Sequence, residues 1–180
     1  NSTGTMIRCV VQANVASNAY GATAERAEGG GLCIEGGSWT IRDTEIRGNE
    51  ARKSVFEAFL NRGGGVVFRR GIHSLINCAI AGNLAKGTGS ALFMEDGTTR
   101  VSLLNCTVAG NQGGVAVAVE GGVLTATNSI FWGNYGDLTG TVSLQACLTE
   151  DGVEAGTNGN LRGDPLFERG LYLSANSPCV

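Results

Sequence analysis

Residues 74–83 read SLINCAIAGN and residues 102–111 read SLLNCTVAGN. Two nearly identical phrases, 28 residues apart, mark a unit that the chain repeats. Periods of about 20–50 residues belong to architectures in which one unit buries its apolar face only against the next. Three further copies follow the same pattern: TIRDTEIRGN ending at Asn49, TATNSIFWGN ending at Asn134 and a degenerate TMIRCVVQAN ending at Asn14. The closing asparagines are 35, 34, 28 and 23 residues apart. A unit therefore closes within 23 residues, and any excess sits in loops. A second phrase precedes four copies: GGGLCIEGG, GGGVVFRRG, GSALFMEDG and GGVAVAVEGG. After the last copy, TVSLQACL resumes the strand pattern.

Aligned copies give columns. Met6, Ile41, Leu75, Leu103, Ala126 and Leu144 form one, and Val11, Ile46, Ile80, Val108 and Phe131 another. Both are apolar throughout and should face inward. Between them lie Cys9, Thr44, Cys78, Cys106, Ser129 and Cys147, small side chains suited to a narrow interior bend. Thr5, Thr40, Ser74, Ser102, Thr125 and Ser143 form an outward column of hydroxyls. Alternation with period two reads as strand, not helix. The closing Gly-Asn suits a tight bend in which Asn, or the Gly before it, takes a left-handed backbone. Short units stacked in register cannot make a hairpin meander, but they can coil. Strands of successive coils then lie parallel, about 4.8 Å apart, and five to six coils give a rod roughly 25–30 Å long. The expected fold is all-β, a right-handed parallel β-helix, its hand taken from the rule for parallel crossovers. Residues 1–148 form the coils, and residues 149–180 an irregular closing segment packed on the last coil.

Composition fits one domain with a real core: 180 residues, 42% apolar, 29 glycines, two prolines. A net charge of −3 does not ask for nucleic acid, and no apolar run approaches a membrane span. The charge is unevenly shared, positive over residues 1–86 and negative over 87–180, which favours end-to-end contacts. The chain opens on Asn1 with its first copy almost at once. It reads as a piece of a longer protein whose flanking coils would cover the strand edges at the rod's ends.

The glycine phrase followed by the apolar-x-x-Asn phrase, fullest at Phe131-Trp132-Gly133-Asn134, resembles the repeats of bacterial surface β-helix proteins, including polymorphic outer-membrane autotransporter passengers. NLRGDPLFERGLYLSANSPCV, residues 160–180, is similar to the segment that closes β-helix domains of large secreted bacterial proteins. Asp164, Pro165, Leu166, Phe167, Tyr172, Leu173, Ser177, Pro178 and Cys179 carry that match. The resemblance implies an extracellular or cell-surface address and an anchored, adhesive or structural role. It implies no chemistry.

The same fold hosts polysaccharide lyases and glycoside hydrolases, which work with carboxylates as acid and base or around Ca²⁺. Fold alone does not license that function. Arg69, Arg70 and His73 lie near one strand end and could meet Glu35 or Arg42 one coil away. They are the candidate groups of the enzyme alternative, with Ca²⁺ as its only cofactor. Glu95-Asp96 and Glu150-Asp151 fall at turns and read as solvated charges. His73 shares a column with Trp39, Val101 and Leu124, so it reads as packed or superficial. No metal-ligand spacing occurs.

The leading reading is a non-catalytic module. Insertions recur at one corner, between each Gly-Asn bend and the next glycine phrase, and shorten along the rod. Loops at one corner of a solenoid are where binding is usually placed. The second insertion offers Phe56 and Phe59 beside Arg52, Lys53 and Arg62, a candidate surface for a glycan or protein. Alternatively it folds back on the adjacent sheet, where Cys33, Val67, Leu92 and Ala116 would form an outer apolar column if Leu32, Val66, Ala91 and Val115 point in. Trp132 and Tyr135, at the last bend, could stack on a sugar or cap the rod. Arg162-Gly163-Asp164 spells an adhesion tripeptide, but Asp164 belongs to the closing phrase. Cys78 and Cys106 should be vertical neighbours, as free thiols or a bridge. Cys147 with Cys179 is the preferred disulfide, because it would pin the tail to the last coil.

Overall fold

The structure is a computed structural model and describes residues 2–17, 27–52 and 61–180. Among them the chain forms short strands and no helix. Strands Val10–Gln12, Glu45–Arg47, Ala79–Ala81, Thr107–Ala109, Ile130–Trp132, Leu148–Thr149 and Leu161–Arg162 stack in that order, all parallel. A second stack runs Thr3–Ile7, Ser38–Arg42, Ile72–Ile76, Arg100–Leu104, then the far half of Val117–Thr127, then Leu138–Gln145. The glycine phrases supply Leu32–Glu35, Val66–Arg69, Leu92–Glu95 and the near half of Val117–Thr127. Val15–Ser17, Glu50–Arg52 and Leu84–Ala85 make the third face. This is a parallel β-helix, as the repeats require.

Its register matches the columns. Met6 pairs with Ile41, Ile41 with Leu75, Leu75 with Leu103 and Leu103 with Ala126. Ile46, Ile80, Val108 and Phe131 form the facing line, each 0% exposed. Burying an aliphatic or aromatic side chain of this size stabilises by about 1.5–3 kcal/mol. Cys78 and Cys106 sit at the bend between these lines, each thiol donating to a carbonyl one coil back, Ile41 and Leu75, at 3.4 Å.

The glycine phrases stack out of the expected step, by one residue at Leu92 and by two at Val117. Leu92 and Val117, not Ala91 and Val115, lie over Val66. Ser90 and Ala91 stand where the two preceding coils have Gly30-Gly31 and Gly64-Gly65. The outer apolar column is therefore Cys33, Val67, Phe93 and Ala118. The glycines are needed because coils touch there: a Cβ on Gly65 would lie 2.5 Å from the Ala91 carbonyl oxygen.

At the Gly-Asn corner, glycine takes the left-handed backbone (Gly48 φ 60°, Gly82 φ 61°, Gly110 φ 63°), and asparagine has another task. The Oδ1 of each Asn accepts both the backbone N–H and the side-chain amide of the Asn one coil earlier, from Asn14 through Asn49, Asn83 and Asn111 to Asn134. A second, exposed amide ladder, Asp43–Asn77–Asn105–Asn128, lines the other bend with positive φ throughout.

The coil pairing does not stop at residue 148, since Leu161–Arg162 adds a further parallel strand. The rest of the closing segment carries a small antiparallel pair, Phe167–Glu168 with Tyr172–Leu173.

Candidate functional site

Successive residues of a strand face opposite sides of its sheet, so Phe68 pointing into the core sends Arg69 outward. There the stacked coils make a charge ladder. Arg69 binds Glu35 at 3.2 Å in the coil before and Glu95 at 2.9 Å in the coil after, and it also pairs with Glu28. Beside it Arg62 reaches Glu95 at 3.6 Å and Glu120 at 3.2 Å, while its guanidinium lies 4.7 Å over the Phe93 ring. Val67, Phe93 and Ala118 are buried although they lie on the outer face.

This geometry separates the groups of the enzyme alternative. Arg69 belongs to the outer ladder. Arg70 turns the corner with φ 60°, its N–H bound to Thr99 Oγ1 at 2.8 Å. His73 is 1% exposed and points inward, stacked on Phe68 at 4.7 Å. Its Nε2–H donates to the Arg70 carbonyl at 2.8 Å, which leaves Nδ1 as the proton-free nitrogen, buried without a partner. Burial pushes its pKa down, so the ring is neutral. Glu35 does meet Arg69, but Arg42 pairs with Asp43 at 3.2 Å instead. Among the described residues no group of three His, Cys, Asp or Glu side chains is placed to hold a metal.

The acidic turn pairs are not simply solvated. Asp96 Oδ1 accepts the N–H and hydroxyl of Thr98, which holds its carboxyl below the usual range. Glu150 accepts Gly133 N–H, and Asp151 accepts Asp137 N–H, both at 2.7 Å. Asp137 returns the contact by accepting the N–H groups of Glu150 and Asp151, and it also takes the amide of Asn134. It is 1% exposed, burial raises its pKa, and it caps the asparagine ladder. Nothing in the spacing of the repeats singled it out.

Of the proposed ridge, Arg52 is exposed and pairs with Glu50 at 3.7 Å. Arg62 lies against the sheet instead of facing solvent, because Phe93 and two carboxylates hold it. Lys53, Phe56 and Phe59 lie outside the described residues. The insertion's ends are firm: Ser17 pairs with Arg52 where the loops leave, and Glu28, Arg62 and Thr88 bridge in parallel where they return. Trp132 is half-buried beside Ala109, and Tyr135 is exposed. Arg162 donates to the Glu150 carbonyl and Asp164 accepts Leu166 N–H, so both ends of the tripeptide are engaged locally. All six cysteines are free thiols. Cys147 is buried and donates to the Ala126 and Gln145 carbonyls, which turns its sulfur into the core and not toward a bridge with Cys179.

A family model described as a right-handed beta-helix region matches residues 1–160. No curated protein and no solved structure matches the chain significantly. No helix is long and apolar enough to cross a membrane among the described residues.

Proposed function

Because this chain belongs to the right-handed β-helix family, we propose that it serves as a non-catalytic rod, extracellular or at a bacterial cell surface, that presents the insertions of one corner to a glycan or protein. The observation that supports this most is the stack of loop anchors. Ser17 and Arg52 are paired at the exit, and Glu28, Arg62 and Thr88 are bridged at the return, so residues 18–26 and 53–60 spring from neighbouring rungs of a rigid scaffold. Binding sites built on rigid elements keep their geometry. The outer charges support the same reading, because Arg62 and Arg69 are spent on carboxylates of adjacent coils.

Deleting residues 53–60 should leave the fold intact. One coil later the chain passes from Ala85 to Thr88 through Lys86 and Gly87 alone, so the corner closes without an insertion. Binding to polysaccharides and cell-surface glycans is measured by affinity electrophoresis with the intact chain and the deletion. The expected result is binding that weakens with the deletion, and no unsaturated sugar or new reducing end from pectin, alginate or glycosaminoglycans with or without Ca²⁺. Turnover lost on changing Arg69 or His73 would put the lyase or hydrolase reading first.

A further inference from the structure

Cys78 and Cys106 hold the same position in two stacked bends. Ile76 pairs with Leu104 before them and Ala79 with Thr107 after them, and Thr107 N–H donates to the Cys78 carbonyl at 2.9 Å. The strand spacing puts their Cα atoms about 4.8 Å apart, inside the roughly 4.4–6.8 Å that a disulfide spans. Cys106 Sγ lies 3.4 Å from the Leu75 carbonyl oxygen, so it leans into the coil that carries Cys78. The two thiols meet: the Cys106 side chain hydrogen-bonds to that of Cys78 and lowers its pKa, against the opposing effect of burial. The rest of the column offers no second pair. Thr44 separates Cys9 from Cys78, and Ser129 separates Cys147 from Cys106.

We infer that Cys78 and Cys106 are a site of oxidative cross-linking that staples two consecutive coils, the bond being made by exchange with a small disulfide while the chain is coiling. One protein thiolate attacks the small disulfide and expels one thiol, leaving a mixed disulfide. The other protein thiolate then attacks the protein sulfur of that mixed disulfide and expels the second thiol. Two protein thiols thus lose two electrons and two protons, and the small disulfide takes up both to become two thiols. The timing follows from burial. At 2% and 1% exposure the side chains are closed to a reagent of that size once the rod has formed. The bends can yield to the bond, because each cysteine follows a left-handed asparagine, Asn77 or Asn105, and lies between strands, not within one. A parallel stack holds Cβ atoms about as far apart as Cα atoms, so the bends need to approach by only roughly a few tenths of an ångström. The inference does not involve the loop corner or its ligand.

The test refolds the full chain from urea in a buffer of oxidised and reduced glutathione, with folded protein held in the same buffer as its comparison. Intact mass should show the loss of two hydrogens on refolding. Cleavage after Lys, Arg and Glu separates Cys78, Cys106 and Cys147 at Lys86, Arg100 and Glu120, and the map should join Cys78 to Cys106. The bond should form at least about tenfold faster in the refolding chain than in the folded rod, which has to open first. Cys78→Ser and Cys106→Ser should each prevent it, and Cys147→Ser should not. The serine variants should fold, because Ser129 already fills this place in the column and donates to the carbonyl two residues back, as Cys106 does. The bridged chain should unfold at a urea concentration higher by about 1 M than the reduced chain. The inference is overturned by the absence of a bond, by a bond between any other two cysteines such as Cys147 and Cys179, by equal rates in the folded and refolding chains, or by an unchanged urea midpoint.

Discussion

Asn83 hands both its backbone N–H and its side-chain amide to one atom, Oδ1 of Asn111, at 2.9 and 3.0 Å. Its own Oδ1 receives the same pair from Asn49, and its amide also reaches the Ile46 carbonyl at 2.9 Å. One buried side chain thus serves three coils. A buried polar group left without its partner costs about 1–3 kcal/mol, and Asn83→Ala orphans several, so denaturant unfolding should show a loss of several kcal/mol. Asn105→Gly keeps the left-handed turn and removes only an exposed amide. It should stay within about 0.5 kcal/mol, and equal losses would refute the distinction between the two ladders.

Val108 is 0% exposed and Thr125 is exposed on the hydroxyl column. Val108→Asp places an unpaired carboxylate between Ile80 and Phe131, and should cost several kcal/mol or prevent folding. Thr125→Asp should change Tm by no more than a degree or two, roughly the effect of an ordinary surface change.

Glycine in the repeat phrases answers to steric demand that differs by position. Gly65→Ala must move backbone, because the new Cβ would sit 2.5 Å from the Ala91 oxygen, and should cost about 1–3 kcal/mol. Gly97→Ala meets nothing within 4 Å and needs no positive φ. It should be neutral or stabilise by up to about 1 kcal/mol through the unfolded chain.

His73 gives the rod an acid sensitivity. The folded pKa lies below the ordinary 6.5, chiefly through burial, so the unfolded chain binds the proton more readily. Stability is full above the unfolded value and is lost as pH falls below about 6.5 toward the folded pKa. The ring's stacking and column neighbours, Phe68, Trp39, Val101 and Leu124, carry no charge to offset this. Urea midpoints between about pH 7.5 and 5.5 should fall in the native chain and stay flatter in His73→Phe. Parallel curves would remove the histidine from the account.

The coiling, the interior columns of Met6 and Val11 and the outward hydroxyls were legible in the sequence, because a repeated register prints the same facing choice several times over. The closing asparagine was legible as a corner but not as a ladder, since its partner lies a whole coil away. What only the tertiary structure decided depends on groups without a repeated counterpart. Ser90 and Ala91 fill glycine places, which shifted Leu92 inward and Phe93 outward. Phe93 in turn drew Arg62 off the ridge onto the sheet. His73 went inside because its column did, and Arg69 was committed to Glu35 and Glu95 by the coils on either side. Columns are set by strand period, which each copy carries in its own residues. The partners of a charge or an outer aromatic are set by which coil is stacked next to it, and that contact exists only once the rod has formed.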